Sequence, residues 1–281
     1  MGQLFSYKML STTSPPVGSV LKKQGNGAME ISSAQNPRYK TWQRLLDARG
    51  IKKHGQMLIA GRKIINEVLD QFPQRVEGVI LRNEPRNQED VANLALPPDC
   101  PVYLLPHDLF AALDIYGIKE PILLAQAPTL PEWIGSLSTG LTVFLPFQSP
   151  INLGTTIRSA AAFGAAVVLL REAASPYLPK CLRASGPAVF QVSLFQGPSL
   201  EELAKHTHLS IFALSPKGEN IFSFPFSRFK EIGLVAGMEG PGLDVYWTKE
   251  KRLSIPMTSQ VESLNASVAM GIAMACQISL S

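Results

Sequence analysis

The second half of the chain contains apolar segments of the kind that form strands buried on both faces. Residues 141–147 and 166–170 are almost continuously apolar, and residues 155–163 between them have a helical composition. Strands of a parallel sheet are covered on both faces, so apolar and polar residues do not alternate along them. The pattern therefore predicts a parallel sheet flanked by helices, an α/β fold.

Further segments extend the same alternation of strands and helices. Strands are predicted at residues 209–214 and 232–236, and helices at residues 199–205 and 263–278. No GxGxxG fingerprint follows an early strand, which disfavours a Rossmann dinucleotide site.

The first half predicts a smaller α/β unit. Its predicted strands are residues 76–81, 102–105 and 122–126, and its predicted helices are residues 36–48, 63–70, 91–95 and 108–113. Pro128, Pro131 and Gly135 follow the last strand and suggest a boundary. We expect a flexible extension at residues 1–30, an α/β substrate-binding domain at 31–130 and a second domain at 131–281.

Composition limits the possible classes of protein. The 281 residues are 46% hydrophobic and 17% charged, which excludes a mainly disordered chain. No apolar run reaches the ~18 residues that cross a bilayer, and the first thirty residues lack the apolar block of a secretory signal. Cys100, Cys181 and Cys276 form no CxxC pair. A soluble protein of the reducing cytoplasm, without a disulfide framework, is expected.

The positive charge of the chain is concentrated in one window. Residues 31–90 hold eleven Lys and Arg against seven Asp and Glu, whereas the other residues have fifteen of each. Basic side chains near Tyr39 and Trp42 suit phosphate contacts and base stacking in RNA. The alternative is a solvated helix face, with Trp42 turned toward a core. The candidate RNA-binding residues are Arg38, Lys40, Arg44, Lys52, Lys53 and Arg62.

Three segments of the second half combine glycines with unusual polar residues. The first runs from Asn152 to Gly164, where Asn152 could cap a helix and Arg158 lies nearly two turns into it. An arginine among small and apolar residues is costly unless it is paired or reaches an anion. A salt bridge to a nearby carboxylate is the alternative.

The second and third segments each follow a predicted strand, where α/β sheets place ligands. In the second, Glu239 is embedded among Gly237, Gly240 and Gly242. In the third, Ile255 and Met257 precede Ser263 and Asn265, and Ser263 could cap the last helix, whose free N–H groups offer an anion site. Capping would leave Asn265 unexplained.

Other candidate sites have less support. His206 and His208 form an HxH pair without a nearby third ligand, so no metal site is predicted. Neither His54 nor His107 adjoins a Ser or Cys elbow, so a hydrolase triad is not supported.

Together, the three segments resemble the three signature motifs of the SpoU (TrmH-type) branch of the SPOUT RNA methyltransferases. Residues 180–190 also resemble the segment between the first two motifs. The resemblance covers roughly residues 140–281. Residues 36–126, including Ile59 to Gly61 and Glu67, are more loosely similar to the substrate-binding domain that often precedes it.

The resemblance implies a catalytic domain with a deep trefoil knot that binds S-adenosylmethionine, without a metal. It also implies a homodimer in which Asn152 or Arg158 faces the partner's donor pocket. The implied donor-binding residues are Gly237, Glu239, Gly240, Gly242, Ile255, Met257 and Leu264. The implied reaction centre consists of Asn152, Arg158, Glu239, Ser263 and Asn265. Ser149, Met238 and Ser259 depart from the residues that are common in the family.

The expected function is methylation of a ribose 2′-hydroxyl in RNA, with rRNA favoured over tRNA. The alternative from another class is a non-catalytic RNA-binding protein on the same fold. Because an arginine guanidinium stays protonated in proteins, our interpretation is that Arg158 binds the hydroxyl and the adjacent phosphate and stabilises the forming alkoxide.

Overall fold

Two β-sheets with flanking helices make up the described part of the chain. The computed structural model describes residues 28–84, 94–237, 243, 247–258 and 260–280. The first sheet has the order β1-β4-β3-β5-β2, in which β5 is antiparallel to β2 and β3, and the other neighbours are parallel. Its strands are β1 (Met29–Glu30), β2 (Gln56–Ala60), β3 (Val76–Arg82), β4 (Val102–Leu105) and β5 (Ile122–Gln126).

Among the described residues, four helices accompany this sheet: α1 (Pro37–Arg44), α2 (Ala48–His54), α3 (Arg62–Gln71) and α4 (His107–Leu113). The prediction of a single helix at residues 36–48 was wrong, because the chain forms two helices there: α1 ends at Arg44, and Asp47 caps the start of α2. Its carboxylate accepts hydrogen bonds from the N–H groups of Arg49 at 2.7 Å and Gly50 at 3.0 Å. The same two bonds lower the pKa of Asp47 from its ordinary value. The predicted helix at 91–95 falls mainly on residues 91–93, outside the described residues.

The aromatic side chains of α1 belong to the core of this unit. Trp42 is 2% exposed and packs edge-on against Tyr103, with ring centroids 4.9 Å apart. Tyr39 is 1% exposed, and its hydroxyl donates to the carbonyl oxygen of Leu109 at 3.0 Å. Burial leaves neither ring open to a base, which excludes base stacking by these residues and confirms the alternative in which Trp42 faces a core.

The second sheet is parallel throughout, which confirms the prediction from its continuous apolar strands. Its order is β11-β9-β10-β6-β7-β8. The strands are β6 (Gly140–Leu145), β7 (Ala166–Leu169), β8 (Leu194–Gln196), β9 (Ile211–Asn220), β10 (Glu231–Val235) and β11 (Arg252–Ser254). Five helices belong to this half: α5 (Pro150–Ala162), α6 (Pro179–Ser185), α7 (Ala188–Gln191), α8 (Leu200–Ala204) and α9 (Ala266–Leu280).

The two halves pack directly against each other. Their buried apolar side chains form one contiguous cluster that includes Ile59 of β2 and Leu153 of α5. At the edge of this contact the Gln191 side chain donates to that of Gln71 at 2.7 Å, and Phe72 packs against Phe190. None of the described helices is both long enough and apolar enough to span a membrane.

Helices α5 and α6 approach closely at Gly154. A Cβ atom added there would collide with the carbonyl oxygen of Cys181 and lie 2.8 Å from the Cβ of Ala184. Gly154 thus allows the backbone of α6 to lie against α5, and any side chain would force the two helices apart.

We predict that Gly154→Ala destabilises the protein by about 1–3 kcal/mol, because the added methyl group overpacks the contact between α5 and α6. The matched control is Gly271→Ala in the interior of α9, where an added Cβ meets nothing within 4 Å in the chain. That change should stabilise by up to ~1 kcal/mol, because it removes a helix-interior glycine. Urea unfolding of both variants measures the difference, and equal stabilities would contradict the close approach.

Candidate active site

The first two motif segments meet at one edge of the parallel sheet. Strands β6 and β10 are neighbours, with Phe144 paired to Val235, so their carboxyl ends lie side by side. Helix α5 begins shortly after β6, and Gly237 follows β10 by two residues. This edge is where open α/β sheets bind ligands.

Helix α5 begins three residues earlier than a cap at Asn152 would place it. Ser149 is the N-cap, Pro150 occupies the first turn, and the Ser149 hydroxyl accepts from the N–H of Asn152 at 3.4 Å. The prediction that Asn152 caps the helix was therefore wrong, since proline suits the first helical position and the serine before it can cap. Asn152 lies inside the first turn, with a half-buried side chain that is available for other contacts.

Helix α9 is capped by Asn265 and not, as predicted, by Ser263. The Oδ1 atom of Asn265 accepts from the N–H of Ser267 at 2.9 Å and of Val268 at 3.3 Å, and from the Ser267 hydroxyl at 2.6 Å. Ser263 is exposed and precedes the helix. The cap accounts for Asn265, which the sequence left unexplained.

A hydrogen bond between two amides joins the first and third motifs. The Nδ2 atom of Asn265 donates to Oδ1 of Asn152 over 3.1 Å. The cap occupies the oxygen of the Asn265 amide, so its nitrogen is the group left to face Asn152. The structure thus brings together two of the five predicted reaction-centre residues, which are 113 positions apart in the chain.

Arg158 lies farther along the same helix. Six residues separate it from Asn152, which corresponds to about 9 Å along the helix axis and about 240° around it. Its side chain is exposed, and it forms no ion pair with a carboxylate of the described residues. The alternative of a structural salt bridge at Arg158 is therefore not found in the described part of the chain.

Arg158 lines a cleft of about 710 Å³ between the two halves of the molecule. The start of α3 forms one wall, and α5 and α6 form the other. Of the predicted RNA-binding residues only Arg62 lines it, whereas Lys63 and Arg183 line it without having been predicted. Lys63 stands in the basic window and Arg183 in the family-like segment 180–190, so both signals were present in the sequence.

The other predicted RNA-binding residues, Arg38, Lys40, Arg44, Lys52 and Lys53, are exposed on α1 and α2. The guanidinium of Arg38 lies over the ring of Tyr103, 5.6 Å from its centroid. Their position is compatible with phosphate contacts, and their role in RNA binding stays a prediction.

Gly237 follows β10, Ile255 and Met257 follow β11, and Leu264 lies between β11 and α9. Among the described residues, a Cβ atom added at Gly237 would meet only the carbonyl oxygen of Leu214, at 3.7 Å, an ordinary van der Waals distance. Ile255, Met257 and Leu264 are partly exposed apolar side chains. The predicted residues Glu239, Gly240 and Gly242, and the departures at Met238 and Ser259, lie outside the described residues.

The cysteines do not provide a thiolate for this edge of the sheet. Burial raises the pKa of the Cys181 thiol to about 12 and that of Cys100 to about 11, and it also raises the pKa of Cys276. Among the described residues no group of three His, Cys, Asp or Glu side chains is arranged to hold a metal ion. His206 and His208 pack with ring centroids 5.8 Å apart, beside Trp133.

Comparison with known proteins identifies the class to which this fold and site belong. The model of the SpoU rRNA methylase family matches residues 141–275. A 23S rRNA guanosine 2′-O-methyltransferase of Bacillus subtilis is 30% identical over 251 residues, which cover 86% of this chain and 96% of that protein. The chain belongs to the SpoU rRNA methylase family, and the resemblance drawn from its motifs is confirmed.

Two further relatives differ in how they align with the chain. A Syntrophobacter fumaroxidans protein named as a ribosomal RNA small subunit methyltransferase is 39% identical over 252 residues, or 89% of this chain. The chain spans only 49% of that protein, about half its length. The crystal structure of an S-adenosylmethionine-bound rRNA methyltransferase from Sinorhizobium meliloti covers 89% of this chain and 97% of its own, with a TM-score of 0.70 at 18% identity. The latter similarity shows the shared fold.

The Asn265 side chain caps α9 and donates to Asn152, and we predict that Asn265→Ala and Asn265→Asp distinguish the effects of these two contacts. Alanine removes the cap and should cost about 1 kcal/mol of stability. Aspartate keeps an oxygen for the cap and suits a helix N-terminus, so the free energy of unfolding should stay near that of the wild type.

Aspartate nevertheless replaces the N–H donor and sets a carboxylate against the oxygen of Asn152. Methyl transfer should therefore fall in both variants, while only the alanine variant loses stability. Urea unfolding and a radiolabelled methyl-transfer assay measure the two effects. Full activity of Asn265→Asp would show that the amide pair is dispensable.

Proposed function

We propose that this chain transfers a methyl group from S-adenosylmethionine to a ribose 2′-hydroxyl of RNA, with rRNA favoured over tRNA as the substrate. The observation that carries the proposal is the contact between Asn152 and Asn265 at the carboxyl edge of the parallel sheet. The name of the B. subtilis relative, a 23S rRNA 2′-O-methyltransferase, supports the ribose hydroxyl as the acceptor and rRNA as the substrate. The cytoplasm is the compartment that fits this substrate.

The residues at the ends of β10 and β11 fit the methyl donor. Gly237 has no side chain, which allows close approach of a ligand to the backbone. The partly exposed side chains of Ile255, Met257 and Leu264 offer apolar contact to an adenine ring. When bound there, S-adenosylmethionine supplies a methyl group on a positively charged sulfur. From the resemblance to the SpoU branch we assign Glu239, Gly240 and Gly242 to the same pocket and propose that this domain is knotted.

Arg158 is the residue we assign to the acceptor. Its guanidinium is exposed and forms no ion pair with a described carboxylate, so its donors remain available to an anion. In our mechanism it donates hydrogen bonds to the 2′-oxygen and to the adjacent phosphate. In the transfer, the 2′-oxygen would bond to the methyl carbon while the sulfur keeps the electron pair of the broken bond, and the hydroxyl proton would pass to solvent water. Negative charge would grow on the oxygen as that proton leaves, and a fixed cation stabilises it most at that moment. Asn265, Asn152 and Ser263 orient the nucleotide.

We further propose that the active form is a homodimer. Arg158 and Asn152 point to different sides of α5, so Arg158 faces away from the Asn265 of its own chain. The outer faces of α5 and α9 carry exposed apolar side chains: Ile151 is 56% exposed, Val268 51% and Ile278 46%. A second subunit on these faces would bury them and bring its Arg158 to the donor site of the first.

The first test asks whether the methyl group is transferred to the ribose or to the base of the target nucleotide. A ribose carrying a 2′-O-methyl group lacks the nucleophile that cleaves the RNA backbone in alkali. We therefore expect one protected bond in the alkaline ladder of the methylated rRNA. A methylated product that is cut normally at every bond would place the methyl group on a base and contradict the proposal.

The second test concerns the geometry of Arg158. Lysine keeps the charge but lacks the planar fork that contacts two oxygens at once. Arg158→Lys should therefore lower kcat by about 10²–10³-fold, the usual loss when a group that stabilises developing charge is removed. Its affinity for S-adenosylmethionine, measured by calorimetry, should be unchanged. Near-normal turnover would assign Arg158 another role.

The third test concerns the dimer. Arg158→Ala and Asn265→Ala homodimers should each be almost inactive. If each site combines Arg158 of one chain with Asn265 of the other, a mixed dimer contains one intact site and should regain activity. Mixing the two purified variants and measuring methyl transfer tests this. A fully active monomer in light scattering, or no recovery in demonstrated mixed dimers, would contradict the shared site.

A further inference from the structure

The cleft between the two halves of the molecule is large enough to hold a substantial part of a ligand. Its volume of about 710 Å³ lies within the ~300–1,000 Å³ that is typical of binding sites. Charged side chains from four separated stretches of the chain line it. These side chains are Arg62, Lys63, Glu67, Glu120, Arg158 and Arg183.

Positive side chains outnumber negative ones in this cleft. Glu120 is already engaged, because it accepts from the backbone N–H of Arg62 at 2.7 Å and lies 3.6 Å from the Nε atom of the same residue. Lys63, Arg158 and Arg183 form no ion pair with any carboxylate of the described residues. Four cations therefore face two carboxylates, and the surplus of positive charge favours an anionic occupant.

Arg183 is held in place by an aromatic ring. Its guanidinium carbon lies over the ring of Tyr116, 4.2 Å from the centroid. Tyr116 belongs to the segment after α4, in the first half of the molecule, and Arg183 belongs to α6 in the second. An arginine that rests on a ring loses little freedom on binding and keeps the edge of its guanidinium available to phosphate oxygens.

We propose that this cleft binds the RNA backbone next to the methylated nucleotide, and that Lys63 and Arg183 contact its phosphates. The proposal rests on the proposed function, because that function places the acceptor ribose at Arg158, on the wall of the same cleft. A strand whose ribose lies at Arg158 carries its neighbouring phosphates into the space between α3 and α6. Phosphate contacts of this kind set the position of a strand without reading its sequence.

The experiment compares the wild type with the double variant Lys63→Ala/Arg183→Ala. The probe is a short fluorescein-labelled single-stranded RNA of mixed sequence, whose binding is followed by anisotropy over a range of salt concentrations. Each lost phosphate contact should reduce the slope of log K against log salt by ~0.7. The double variant should thus lose about 1.4 in slope and roughly tenfold in affinity near 0.15 M salt. Calorimetry with S-adenosylmethionine should show no change.

Steady-state kinetics on an unmodified 23S rRNA transcript give a second readout. Contacts to neighbouring phosphates exist in the ground state and in the transition state alike, so their loss should raise KM and leave kcat nearly unchanged. The matched control is Arg228→Ala/Lys230→Ala, which also removes two exposed cations that do not line the cleft. Lys230 immediately precedes β10, at the amino edge of the sheet and away from the cleft. This control should bind RNA as the wild type does.

The possible outcomes distinguish a failure of the proposed RNA path from a failure of the proposed methyl transfer. If the wild type methylates rRNA and the double variant binds RNA with unchanged affinity and salt slope, the cleft is not the RNA path and the proposal is wrong. Equal losses in Arg228→Ala/Lys230→Ala would also overturn it, because the effect would then follow from net charge alone. If the double variant loses RNA affinity as expected but the wild type transfers no methyl group, the proposed function fails and the cleft remains an RNA site.

Discussion

Helix α5 occupies a position on which both candidate sites depend. On one side α6 lies against it, at a distance that only Gly154 permits, and on another side α9 meets it through the bond between Asn265 and Asn152. The parallel sheet fixes where α5 starts, because β6 ends beside β10 at the ligand-binding edge. One helix therefore presents Asn152 to the end of α9 and Arg158 to the cleft between the two halves.

The sequence predicted the elements whose signals are local. Continuous apolar strands such as β7, and a helix with one apolar side such as α3, were found nearly at their observed bounds. The elements β2, β8, α6 and α7 were not predicted, because three to seven residues are too few for a period to emerge. Strand β7 is equally short but was found because its apolar run continues from Ala165 to Leu170. Strand β9 runs to Asn220 rather than ending near residue 214, because its second half pairs with β11, some thirty residues away. Pairing over that distance is not visible in a local pattern.

At the site, as in the fold, the sequence gives the residue types but not the contacts that each side chain makes. The motifs placed Asn152 and Asn265 in one region, where the structure joins them by a hydrogen bond, but both cap assignments were wrong. The place of Arg158 in the same reaction centre stays a prediction. Serine and asparagine cap helices about equally well, so composition alone could not choose between Ser149 and Asn152, or between Ser263 and Asn265. Tyr39 and Trp42 in the basic window suited either base stacking or a core, and the structure buries both rings in the core. A side chain that suits two environments is assigned only by its neighbours.

The charges in the cleft also suggest a role for residues 180–190, a segment that resembles the family but contains none of the three signature motifs. Residues 180–190 carry Arg183, which neither a donor pocket nor a reaction centre requires, yet α6 sets it on the ring of Tyr116 in the other half of the molecule. A cation held in this way connects the half with the basic surplus to the half with the donor motifs. A target ribose must enter in line with the donated methyl group, and small displacements of reacting atoms cost much of the rate. In the proposed RNA path, Lys63 and Arg183, which line the same cleft as Arg158, would meet that requirement through the strand's own phosphates, without contacts to the bases.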